Sequence, residues 1–126
     1  MKEACGKKFE FGYDIHTDSD TNNIYVPCFR EDGVLCMTIE GQALWFTPLS
    51  PAWVITEIQG TLCVVNIFKH CLHLITKDGE NVRKLLCEED LGGKPEYVCY
   101  GQDDRLYVTY NVGGDKYDMI SVYSVT

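Results

Sequence analysis

Shifted by 38 residues, the chain lies on itself without a gap from Ile24 to Phe46. Ile24-Tyr25-Val26 falls on Leu62-Cys63-Val64, Val34-Leu35-Cys36-Met37-Thr38 on Leu72-His73-Leu74-Ile75-Thr76, and the turn pair Glu40-Gly41 on Asp78-Gly79. Self-similarity of this period restricts a chain to repeat architectures, because each unit buries its apolar faces only against its neighbours. A third copy runs through Leu106-Tyr107-Val108 and Ile120-Ser121-Val122-Tyr123-Ser124. Its extra residues sit in Gly113-Gly114-Asp115-Lys116, a loop composition that tolerates insertion.

Each piece is a short apolar run bounded by Gly, Pro, Asn or Asp, which is the pattern of strands. Helical repeats would need apolar positions three and four apart over about ten residues, and every run here is broken sooner. Counted by their turns, the copies hold four strands each: a leading run (Tyr13 to His16, Trp53 to Ile58, Tyr97 to Tyr100), the Ile-Tyr-Val type run, the Val-Leu-Cys type run, and a run after the Gly turn. That fourth run is Gln42 to Thr47 in the first copy and Asn81 to Cys87 in the second, and it is missing from the third. Its counterpart stands at the other end, where Gly6-Lys7-Lys8-Phe9-Glu10-Phe11 matches Gly41-Gln42-Ala43-Leu44-Trp45-Phe46. The reading is a single all-β domain over residues 1–126, built of β-propeller blades with repeat units of about 6–40, 41–78 and 79–126, and with a β-sandwich as the alternative.

Three blades fall short of the four to eight or so that close a ring. The expectation is a homodimer forming a six-bladed ring, in which the strand carrying Lys7, Phe9 and Phe11 completes the partner's third blade beside Ile120 and Val122. The alternative is a fragment of a longer protein with its remaining blades upstream.

Ile24-Tyr25-Val26-Pro27-Cys28, with Leu35-Cys36-Met37-Thr38 and Glu40-Gly41-Gln42, resembles the NHL-type propeller repeats of invertebrate tripartite-motif (TRIM-like) proteins. So do Ile75-Thr76-Lys77-Asp78-Gly79-Glu80 and Asp104-Arg105-Leu106-Tyr107-Val108, and the resemblance covers residues 14–126. It implies a recognition platform for proteins or, in some members, RNA. The sequence carries no RING, B-box or coiled coil, so the resemblance implies no ubiquitin-ligase activity for this polypeptide.

Charge weighs against the RNA branch. Eleven Lys and Arg stand against 19 Asp and Glu, a formal net charge of −8, which disfavours contact with phosphate backbones. The longest apolar runs are strand-sized, far below the roughly 20 residues of a membrane span. No apolar leader and no Asn-x-Ser/Thr acceptor occurs, so the expected location is intracellular, in the cytoplasm. Seven cysteines without a CxxC pair read as reduced, mostly buried thiols rather than as a disulfide framework.

The common catalytic motifs are absent, and the expectation is a protein that is not an enzyme, with no cofactor. His70-Cys71-Leu72-His73 with Cys63 offers soft metal ligands, but strand alternation splits His70 from Cys71 and His73, leaving a turn histidine and packed strand residues and no metal site. Asp18-Ser19-Asp20-Thr21-Asn22 begins like a calcium loop, yet Phe29 stands where a bidentate Glu is required, so it reads as a polar hairpin.

In a propeller the loops between second and third strands share a face with the loops between blades. Here that face carries Phe29-Arg30-Glu31-Asp32, Phe68-Lys69-His70, Lys116, and the connections Thr47 to Pro51 and Asp90 to Pro95, including Lys94. One basic residue per loop (Arg30, Lys69, Lys116) would let the face select a carboxylate, an acidic peptide or a phosphate. Phe29, Arg30, Phe68, Lys69, His70, Lys94 and Lys116 are therefore the candidate binding residues for a protein or peptide. A small-ligand or glycan site in the central channel is the alternative, and RNA binding comes third. Trp45 and Trp53 fall within strand patterns and read as packing between blades.

Overall fold

The structure, a computed structural model, describes residues 2–4, 7–9, 15–113 and 118–125, with side chains described over 15–113 and 119–125. The repeat becomes three antiparallel meanders. The first blade is β3 (His16–Thr17), β4 (Asn23–Cys28), β5 (Gly33–Thr38) and β6 (Ala43–Pro48). The second is β7 (Ala52–Ile58), β8 (Thr61–Asn66), β9 (Cys71–Thr76) and β10 (Val82–Cys87), and the third is β11 (Lys94–Tyr100), β12 (Arg105–Asn111) and β13 (Asp118–Ser124). Spatial order follows chain order in every sheet. The 38-residue shift is the structural register as well: Tyr25 opposes Cys36 in the first blade, and Cys63 opposes Leu74 in the second.

Inner strands bury both faces, so they read as unbroken apolar runs rather than alternating ones. From Leu62 to Val65 every residue is buried: Leu62 and Val64 face the first blade with Tyr25, Val34 and Cys36, while Cys63 and Val65 face the third with Val98, Leu106 and Val108. The first seam closes on a tryptophan. Trp45 of β6 lies on the turn after β9 and donates its indole N–H to the Lys77 carbonyl at 3.0 Å, and Thr47 donates to the Gly79 carbonyl at 2.6 Å. Gly79 permits this twice over, since its φ is +79° and a Cβ there would stand 2.5 Å from the Trp45 ring.

The third blade has three described strands, its fourth missing from this copy as expected. Other expectations change. Lys7 and Phe9 lie in β2 (Lys7–Phe9), which pairs with β1 (Lys2–Ala4) of the same chain, and Phe11 is outside the described residues. The leading strand of the first blade is only His16–Thr17, and residues 13 and 14 are likewise outside. The connection expected as plain loop before Pro95 contains α1 (Glu88–Leu91), where Asp90 accepts from the Cys87 N–H at 2.8 Å and Leu91 enters the second seam.

The cysteine reading is corrected too. Cys71 and Cys87 are direct partners across β9 and β10, with Cα atoms 4.0 Å apart, and form a disulfide. A hairpin register can bring together two cysteines that no local motif links. Cys28, Cys36 and Cys63 are buried free thiols and Cys99 is an exposed one. Burial pushes Cys28 and Cys63 up to about 12 and Cys36 to about 11, so these three are inert at neutral pH.

Candidate functional site: the loop face

The turns from β4 to β5 and from β8 to β9 have the same conformation, because Asp32 (φ 58°) and His70 (φ 55°) occupy equivalent left-handed positions. Each turn carries a phenylalanine, at positions one apart in the repeat register. Phe29 meets Phe68 edge to face at 5.6 Å between ring centroids, and meets Trp53 at 5.4 Å. Phe68 is 65% exposed, although a phenylalanine of this size is ordinarily placed inside.

Trp53 packs, partly buried, against the seam between the second and third blades, as expected, and a strand irregularity decides which seam it meets. Ala52 opposes Asn66 and Val54 opposes Val65, so Trp53 is the extra residue of a β-bulge. A bulge re-aims a side chain, and here it sets Trp53 on the same side as Val54, toward the third blade. The third blade repeats the device: Pro95 opposes Tyr110 and Tyr97 opposes Thr109, leaving Glu96 as the bulged residue. Trp53 and Glu96 thereby reach one groove of about 450 Å³ between the second and third blades, with His70, Lys94, Tyr97 and Asn111 also on its walls. Trp45 packs in the first seam, likewise as expected.

Of the sequence-named residues, the structure brings Phe29 and Phe68 into one cluster and His70 and Lys94 into one groove. Arg30 and Lys69 are exposed on the flanking turns, and Lys116 is outside the described residues. Pattern reading assigned Trp53 to packing alone, without its place on the groove wall, and missed Glu96 and Tyr97. The available signal was Pro51 just ahead of β7 and Pro95 at the second position of β11, since proline in a sheet is confined to edges, strand starts and bulges.

Beneath the face, a polar tether fixes the connection between the first two blades. Asn66 is fully buried and donates to the Ser50 carbonyl at 2.8 Å, while its side-chain oxygen is held by His73 Nδ1. Burial, then the nearby Lys84 and Lys69, holds His73 below the ordinary imidazole range, so it is neutral at pH 7 and donates from Nδ1. His73 is thus a packed strand residue, and His70 is a turn residue.

The opposite face is closed by charge. Lys77 binds Asp18 and Glu57 at 2.8 Å each, and His16 binds Glu57 at 2.8 Å. The hydrogen bond from Lys77 is the main cause that lowers Asp18 to about 2. Burial alone would raise Glu57, but hydrogen bonds from Lys77 and His16 outweigh it and hold the carboxyl low. The carboxylate that opened the calcium-like stretch is therefore engaged by a lysine from the second blade, and residues 19–21 form the turn of a hairpin.

No protein-family model and no curated protein sequence matches the chain. Solved β-propeller structures do. One from Bacteroides caccae, a protein of unknown function, is 19% identical with a TM-score of 0.67 over 78% of this chain and 38% of its own. Virginiamycin B lyase from Staphylococcus aureus is 18% identical, TM-score 0.64, over 88% and 40%, and a chain of the nidogen/laminin complex is 17% identical, TM-score 0.64, over 79% and 39%. The chain spans about two-fifths of the length of each. At these identities the likeness establishes the fold, a β-propeller array, and the sandwich alternative falls away.

The expectation that the chain is not an enzyme does not stand. A lyase is among the proteins built on this fold, and a propeller can assemble a reactive site from separate loops without any contiguous motif. The missing motifs therefore decide nothing about catalysis.

Proposed function

We propose that the loop face is a recognition surface for a protein or peptide, seating an apolar anchor beside the Phe29–Trp53–Phe68 cluster and an acidic neighbour at Lys94 and Lys69. The observation that carries this is Phe68: an aromatic ring two-thirds exposed, braced edge to face by Phe29, next to a groove with a lysine on its wall. A ring held in place by another ring is preorganised, so it binds with little ordering cost, and aromatic anchors dominate such interfaces. The NHL-type repeat pattern supports the same reading, as it is typical of propellers used as platforms. The chain's net charge of −8 makes basic positions on this face the natural point for an acidic partner.

The test is selection from a random peptide library on the immobilised chain, followed by fluorescence anisotropy of the enriched peptides. The expected result is enrichment of sequences with an aromatic or aliphatic residue next to Asp or Glu, with affinity reduced at least tenfold by Phe68→Ala and by Lys94→Glu. Enriched peptides that bind both variants as they bind the parent chain would overturn the assignment.

A further inference from the structure

The two seams between blades differ at one position of the repeat. Trp45 opposes Cys36 across β5 and β6, and Arg83 opposes Leu74 across β9 and β10. Directly opposed residues of an antiparallel pair share a face. Cys36 and Leu74 are equivalent in the 38-residue register and each packs toward the next blade, so Arg83 stands in the second seam where Trp45 stands in the first. In the first seam the indole fills the space and donates to the Lys77 carbonyl. In the second, the corresponding space is a groove of about 490 Å³, within the size range of small-ligand pockets.

The groove wall is apolar except at one point. Lys84 opposes His73 and Leu86 opposes Leu72, so Leu85 is an extra residue of β10, and the bulge brings it onto the wall while it stays 38% exposed. Across the seam are Tyr123 and Val125, and the buried Leu74 and Leu106 line the inner side. Arg83 is the one charged side chain among the described residues of the wall, and no carboxylate among the described residues pairs with it. In a chain with 19 acidic against 11 basic residues, a cation without an acid beside an apolar groove is a handle for a ligand's own anion.

We infer that this groove is a binding site for a small aromatic monocarboxylate, with its ring among the leucines and Tyr123 and its carboxylate on Arg83. Three features select that chemistry. The first seam seats an indole at the equivalent place, so the spacing of the blades suits a planar ring. A guanidinium is a planar fork that matches a carboxylate through two parallel hydrogen bonds. The net charge of −8 penalises a more highly charged anion, which favours one carboxylate over a phosphate dianion. The site is separate from the loop face, because its wall includes Gln59 of the β7–β8 turn, at the opposite end of β8 from Phe68.

The experiment is an amide chemical-shift titration of the full chain with indolepropionate and, separately, with its uncharged amide. The inference predicts saturable shifts at residues 58–61, 83–86 and 123–125, with the amide bound about tenfold more weakly than the acid. Arg83→Gln keeps the groove and removes the cation, so it should bind acid and amide alike, at the amide's affinity. Arg83→Trp places in the second seam the side chain that fills the first, and should abolish binding of both probes. Arg83 is exposed, so circular dichroism should show unchanged strand content in both variants. Acid and amide bound equally by the parent chain, or acid bound by Arg83→Gln as by the parent, would overturn the role of Arg83. The absence of saturable shifts at those positions, or shifts confined to the loop face at 29–32 and 67–70, would overturn the site itself.

Discussion

The two faces of the blade array are built from the same kinds of turn, yet they end differently. On one, Lys77 satisfies Asp18 and Glu57, His16 satisfies Glu57, and the Trp45 indole is satisfied by a turn carbonyl. On the other, three aromatic rings brace one another and leave Phe68 in water. The first arrangement couples neighbouring blades and leaves little for an outside group to bind. The second gains little stability from its exposed ring, which is what a surface kept for a partner looks like. Substitutions should therefore separate stability from binding along this division.

The largest effect belongs to the coupled face. Trp45→Ala removes a half-buried indole from the first seam and should lower the unfolding free energy by about 3 kcal/mol in urea denaturation. A loss under about 0.5 kcal/mol, the range of an ordinary surface substitution, would mean that the seam does not couple the blades. Next is the Cys71–Cys87 bridge, whose sequence separation is 16. Its removal by Cys71→Ala/Cys87→Ala should cost about 3 kcal/mol or somewhat less by the loop-closure relation, and dithiothreitol should reproduce the loss.

Smaller effects follow from titration. His73 has a folded pKa below its ordinary 6.5, so the unfolded chain binds the proton first and stability should fall as pH drops below about 6.5. His73→Gln should flatten that limb of a stability-against-pH curve. Asp18, about 2 when folded against 3.8, gives stability that is complete above about 4 and lost as pH falls toward 2, and Lys77→Met should remove this second limb. Smallest of all, Phe68→Ala should move stability by no more than about 0.5 kcal/mol while reducing peptide affinity at least tenfold. If it unfolds the chain instead, the ring is core and the two faces do not differ.

Much of this architecture was legible in the sequence, because period and turn residues are local signals. The match of Ile24–Phe46 to the next copy anticipated β4, β5, β8 and β9 in register, and the turn phenylalanines followed from loop position. What escaped was set by pairing between distant segments. Trp53 and Glu96 leave the alternation only because their strands bulge, and Cys71 meets Cys87 only through hairpin register. Asp18 finds Lys77 across 59 residues. α1 was hidden by its length of four residues, too few for any periodicity to register.

The measurement that tests the central claim most directly is amide chemical-shift mapping of an enriched acidic-aromatic peptide on the intact chain. The account predicts shifts confined to residues 29–32, 49–53, 67–70, 94–97 and 111, with none at 16–20, 57 or 77–79. Shifts centred on the Asp18–Lys77–Glu57 side, with Phe29, Trp53 and Phe68 unmoved, would contradict it.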